Sequence, residues 1–132
     1  MNKIKNGDMI YRFIFKERIG KGGFGSVYKC AIAGSNNQEF AALKVVSNQD
    51  SKSIENEKKI LENIQSGCPY FPRLLDAAQC SSFYYIAMEY LGPSLEEINR
   101  RMNDIKFNDY TLAYIAVQTL KCIKELHSFG II

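Results

Sequence analysis

The sequence is poor in the residues that build several kinds of site. It holds a single histidine, His127, and four cysteines, Cys30, Cys68, Cys80 and Cys122, none of them in a C-x-x-C pair. That spacing offers neither a zinc ribbon nor a redox dithiol. Free thiols in a reducing compartment are the expectation. Nowhere does the chain carry about 18 uncharged apolar residues in succession, so no membrane span is read from it. The opening "MNKIKNGDMIYRF" has no apolar core of a signal peptide, and the expected location is intracellular, cytoplasmic or nuclear. Charge of one sign is missing too. The 17 basic and 14 acidic residues leave a net charge of +3 and are mixed along the chain, which gives no reason to expect a nucleic-acid or membrane partner. No internal repeat or low-complexity tract is present.

What the chain does contain is 132 residues with 46% hydrophobic content, enough for one domain with a real core. "YRFIFKERIG" (Tyr11 to Gly20) places Tyr11, Phe13 and Phe15 at period two and reads as a strand. "SVYKCAIA" (Ser26 to Ala33) and "EFAALKVVS" (Glu39 to Ser47) read as two more, separated by the turn "GSNNQ". The period then changes. "SIENEKKILENIQSG" sets Ile54, Leu61 and Ile64 on one helical face, with Gly67 as its stop. "FPRLLDAAQ" and "SFYYIAMEYL" supply a fourth and a fifth strand. Ser94 with Glu97 forms a capping box for a short helix. Asn108 caps the longest one, whose apolar positions include Leu112, Ile115, Leu120, Ile123 and Leu126.

The resulting class is α+β: a five-stranded antiparallel sheet with one inserted helix, followed by helices. Residues 1–10 form an N-terminal tail, and residues 11–132 form a unit that divides near Gly92 into 11–91 and 92–132.

The stretch "IGKGGFGSVYKC" (Ile19 to Cys30) clusters Gly20, Gly22 and Gly25 between two strand patterns. A dinucleotide-binding G-x-G-x-x-G has to open a helix. Here Val27, Tyr28, Cys30 and Ile32 favour a strand instead. A P-loop needs a lysine directly after its last glycine, and Lys21 stands elsewhere. Two readings remain. Either the backbone of a strand-loop-strand hairpin passes close over phosphate oxygens, or the glycines merely supply positive φ to a plain turn.

Downstream, Lys44 interrupts the apolar "FAALKVV", sharing a face with Phe40, Ala42 and Val46 at period two. Glu57 interrupts the helical stripe between Ile54 and Leu61. An ammonium or a carboxylate on a buried face is costly alone and far less so when paired. Each therefore accounts for the other.

Taken in order, "IGKGGFGSVY", "AALKV", "NEKKIL" and "AMEYLGPSL" resemble the N-terminal lobe of a eukaryotic protein kinase. "LGPSLEE" is similar to the corresponding segment of the casein kinase I group, whose members phosphorylate serine and threonine. The resemblance implies ATP and Mg²⁺ as cofactors and protein hydroxyls as substrates. It implies that Gly20, Gly22 and Gly25 cover the ATP phosphates with Phe24 at the loop tip, Lys21 and Gly23 belonging to the same loop. Lys44 would contact the α- and β-phosphates while paired with Glu57. Ile19, Val27 and Ala42 would form the apolar lid over adenine. Met88 would be the gatekeeper, with backbone groups of Glu89 and Leu91 hydrogen-bonding the adenine edge. Residues 11–91 would then be the N-lobe and hinge, and 92–132 the start of the C-lobe.

The same resemblance places a His-Arg-Asp catalytic loop directly after "LHSFGII", and the chain has none, nor the asparagine and aspartate that hold magnesium in such enzymes. His127 is followed by Ser-Phe, and "SFG" lacks the carboxylate of a metal-binding Asp-Phe-Gly. The expectation is a kinase chain cut before its catalytic loop, inactive by itself. The five apolar positions of the last helix would represent about 7 to 15 kcal/mol of burial in a complete kinase, so a marginal final segment is also expected. Two other readings stay in view: a non-catalytic binding module, such as a pseudokinase or truncated product, and a mononucleotide-binding fold of another kind, for which Glu57→Gln would leave ATP affinity unchanged.

Overall fold

The structure, a computed structural model, describes residues 4–23, 25–35, 39–48, 51–64, 69–102 and 106–132. Its strands are β1 (Met9–Ile10), β2 (Phe13–Gly22), β3 (Gly25–Ile32), β4 (Phe40–Ser47), β5 (Leu74–Gln79) and β6 (Phe83–Glu89); its helices are α1 (Ser51–Ile64), α2 (Leu95–Arg101) and α3 (Asp109–Ser128). The strands form one antiparallel sheet in the order β1-β2-β3-β4-β6-β5. The helix α1 is inserted between β4 and β5.

Alternation builds two apolar layers. Phe13 and Phe15 of β2, Cys30 of β3, Ala41, Leu43 and Val45 of β4, and Tyr85 and Ala87 of β6 form one buried cluster. The intervening positions of β4, Ala42, Lys44 and Val46, point to the opposite face. There Val46 and Ile86 receive Ile54 and Leu61 of α1. The helix stripe read from the sequence is therefore the seam that seats α1 on the sheet.

The five expected strands are all present, and β1 is an addition. Tyr11 is not a strand residue: it lies at φ +49° in the two-residue turn joining β1 to β2, with its ring 6.2 Å from that of Tyr85. A two-residue strand is too short to leave a periodic signal, and Tyr11 happened to extend the alternation of Phe13 and Phe15. Nor do residues 4–10 behave as a tail. The Gly7 amide donates to the Phe15 carbonyl at 2.8 Å, the Phe15 amide to the Asp8 carbonyl at 2.9 Å, and Ile4 and Ile10 pack on the core. The turn residues 36–38 and the helix stop Gly67 lie outside the described residues.

Beyond β6 the architecture becomes helical, after Gly92 at φ +89°. Ser94 Oγ accepts from the Glu97 amide at 3.1 Å, but the capping box is only half made, because the Glu97 carboxylate takes Arg101 at 2.6 Å instead. Asn108 Oδ1 accepts from the Thr111 amide at 2.8 Å and caps α3. Along α3 no residue is buried, and Leu112, Val117, Leu120 and Ile123 are exposed.

Candidate nucleotide site

The glycine stretch is the hairpin between β2 and β3, with Gly20 opposite Val27, Lys21 opposite Ser26, and Gly22 opposite Gly25. Register shifts at Phe15/Glu17 and Arg18/Gly20 kink β2 ahead of the loop. The glycines serve different ends. A Cβ at Gly22 or Gly23 would meet nothing within 4 Å, so the backbone at the tip is open to an incoming group. Gly25 lies at φ +114°, where a Cβ would overlap the Val45 carbonyl oxygen and stand 2.9 Å from Val46 Cγ2. It lets the hairpin close against β4. Phe24 lies outside the described residues.

Lys44 stands on β4 opposite Val27 of β3 and Ile86 of β6. Its Nζ pairs with Glu57 Oε2 of α1, the two side chains being 21% and 33% exposed. Burial of Ile54 and Leu61 fixes the helix face that carries Glu57. The ammonium is therefore held at a set place while still reachable from solvent. Next to it, Ala42 is opposite Met88, so Val27, Ala42 and Met88 lie on three adjacent strands. Ile19, on the edge of the hairpin, is half-exposed.

At the end of β6, where the following segment begins, the Glu89 amide donates to the Arg73 carbonyl at 2.9 Å. Of its two backbone groups, Glu89 can thus offer only the carbonyl to a ligand. The Glu89 carboxylate lies 3.4 Å from Arg73 Nε. Leu91 is exposed, and among the described residues its amide has no hydrogen-bond acceptor. Between this segment, the β2–β3 strands and α2 lies a cavity of about 550 Å³, lined by Arg18, Ile19, Lys29, Tyr90, Ser94 and Arg100 among others. Sequence reading passed over Lys29 and Tyr90. The usable signal was that Lys29 follows Val27 at period two and so shares the face of Lys44.

The site brings together a glycine hairpin with open backbone, a fixed half-buried ammonium, an apolar floor and a free edge of extended backbone. Comparison with known proteins gives this combination a family. Residues 13–132 match the protein kinase domain.

The chain belongs to the protein kinase domain family. It is 34% identical over 127 residues to Protein kinase PINOID 2 of Arabidopsis thaliana, covering 91% of this chain and 24% of that protein. It is 30% identical over 122 residues to the probable serine/threonine-protein kinase DDB_G0292354 of Dictyostelium discoideum, with 90% and 24% covered. A crystal structure of the PF14_0431 kinase domain superposes with a TM-score of 0.82 at 26% identity, covering 96% of this chain and 38% of that one. This kinase chain thus spans about a quarter of the length of the two relatives named. Its sheet and helices are those of a kinase N-lobe with a few following helices.

Proposed function

We propose that this chain is the ATP-binding part of a serine/threonine protein kinase, which transfers the γ-phosphoryl of ATP-Mg²⁺ to serine or threonine hydroxyls of proteins. The observation that carries the reading is the Lys44–Glu57 pair, a half-buried ammonium oriented by a seated helix and lying opposite Val27, on the strand that leaves the glycine hairpin.

The residues present fit the nucleotide. Backbone at the tip of the loop that holds Gly20, Lys21, Gly22 and Gly23 would approach phosphate oxygens, since a Cβ at Gly22 or Gly23 would meet nothing within 4 Å. Lys44 would neutralise phosphate charge, and Glu57 would keep the ammonium from collapsing toward solvent. Ile19, Val27, Ala42 and Met88 would enclose the adenine, with the Glu89 carbonyl and the Leu91 amide reading its edge as acceptor and donor. Magnesium would supply charge neutralisation of the transferred group. Catalysis here would rest on positioning and electrostatics. Residues 11–91 act as the N-lobe and hinge in this reading, and 92–132 begin the helical lobe. The stretch Leu91 to Glu97 supports a place in the casein kinase I group, although neither relative named above carries that group's name.

Titration with ATP tests the reading. Lys44→Met is expected to weaken ATP binding at least tenfold, and Glu57→Gln several-fold. Unchanged affinity in Lys44→Met would overturn it, and an effect of Lys44→Met without one of Glu57→Gln would favour a mononucleotide site of another kind.

A further inference from the structure

Lys29 is not among the residues assigned to the nucleotide above, yet it gathers contacts from two strands and from the segment after β6. Its Nζ lies 4.4 Å from the ring centroid of Phe40 on β4 and 4.9 Å from that of Tyr90. The two rings meet edge to face, with centroids 6.3 Å apart. Glu17 of β2 approaches the same ammonium at 3.8 Å. One cation thus touches groups from β2, β4 and the segment that follows β6.

Tyr90 sits between Glu89 and Leu91, the two residues whose backbone would read adenine. Tyr90 and Lys29 both line the cavity of about 550 Å³ toward α2. The Tyr90 ring thus borders open space, and its contacts with the Phe40 ring and the Lys29 ammonium are what hold it there. A cation over a ring face attracts the ring's quadrupole, more strongly as water is excluded, and the Lys29 side chain is 24% exposed.

We infer that Lys29 is a positioning residue for the nucleotide: by clamping Tyr90 against Phe40, it fixes the backbone of Glu89 and Leu91 at the spacing that adenine requires. The inference rests on the ATP-binding reading. It assigns to Lys29 an effect on base recognition, with no contact to phosphate.

The test is calorimetric titration of the protein with ATP and with GTP. Lys29→Met keeps the stem and removes the charge. It is expected to weaken ATP binding about three- to tenfold, the range for losing one partly desolvated cation–π contact, with little change for GTP, so that discrimination between the bases shrinks. Lys29→Arg, which also stacks on aromatic rings, should restore ATP affinity. Phe40→Leu should reproduce the loss, and the double variant Lys29→Met/Phe40→Leu should fall less than additively. Faster amide exchange at 89–91 in Lys29→Met would accompany the loss. A merely structural lysine would lower stability and leave the ATP-to-GTP ratio where it was, and that result overturns the inference. Failure of Lys29→Arg to restore affinity would do the same. If Lys44→Met abolishes ATP binding while Lys29→Met is silent, only this inference falls; if both are silent, the ATP reading falls with it.

Discussion

Replacing Gly25 by alanine should damage the protein in a way that replacing Gly22 should not, although both stand in the same loop. At Gly25 the backbone lies at φ +114°, a region that side chains with a Cβ rarely enter. Holding a non-glycine residue there costs about 1 to 3 kcal/mol. The new methyl would also overlap the Val45 carbonyl and stand 2.9 Å from Val46 Cγ2. Neither can step aside freely, because Val45 and Val46 are buried in the two apolar layers on opposite faces of β4. Forcing a methyl into a packed site costs about 1 to 3 kcal/mol more. The sum, about 2 to 6 kcal/mol, is a large share of the roughly 5 to 15 kcal/mol that stabilise an ordinary domain. At Gly22 a Cβ meets nothing within 4 Å, so Gly22→Ala should shift stability by under about 0.5 kcal/mol and act on ATP affinity alone. Urea unfolding of both variants, with amide exchange across β3 and β4, separates the two. A loss below about 1 kcal/mol in Gly25→Ala, or equal losses in both, would refute the assignment of Gly25 to packing.

Three further outcomes follow from the same structure. A double-mutant cycle of Lys44→Met and Glu57→Gln, read by urea unfolding, should give a coupling of about 0.5 to 1 kcal/mol, as for ion pairs with partial solvent access; a coupling of zero would mean that the two groups do not interact in solution. Alkaline stability should depend on Cys30 and Tyr85. Burial pushes the Cys30 thiol from 9.0 up to about 12, and burial, then the hydrogen bond to Asp76, raises Tyr85 above its usual 10.0. Because the unfolded chain loses these protons first, stability should fall from about pH 9 upward, by at most about 1.4 kcal/mol per pH unit for each group; Cys30→Ala should flatten the curve between pH 9 and 10, and an unchanged slope would count against the burial argument. Finally, α3 buries no residue while exposing Leu112, Val117, Leu120 and Ile123, so its amides should exchange faster than those of β3, β4 and β6. Equal protection would mean that this face is covered in solution.

The sequence made some of this legible and hid the rest for physical reasons. Lys44 and Glu57 could be found because each breaks an apolar pattern, one of period two and one of period 3.6, and a charge out of place asks for a partner. Phe13 and Phe15, or Ile54 and Leu61, declared their layers through the same periods. Gly25 declared only that it was a glycine. Its reason for being one is the backbone of β4, a neighbour that no local pattern names. The sequence therefore placed the third glycine in the phosphate loop without naming the packing role that the structure adds, closing the hairpin against β4. Lys29, Phe40 and Tyr90 were harder still. Each is an ordinary half-exposed residue in its own segment, and they meet only because β4 lies between β3 and β6. Glu97 misled in the opposite direction: its spacing from Ser94 satisfied the capping pattern, but the arginine one turn later competed for its carboxylate and won.

A site assembled in this way depends on packing at a distance from it. The Lys44–Glu57 pair exists only when α1 is seated, and α1 is seated by Ile54 and Leu61 on Val46 and Ile86. Val46 also bounds the space that Gly25 leaves empty. The helix, the strand that carries the ammonium and the hairpin over it thus share one side chain. A change at Val46 that loosened α1 would release the ammonium and the hairpin together, whereas a change at Gly22 would touch only the loop. That shared dependence makes the ion pair a readout of whether the N-lobe is assembled, as well as a contact within it.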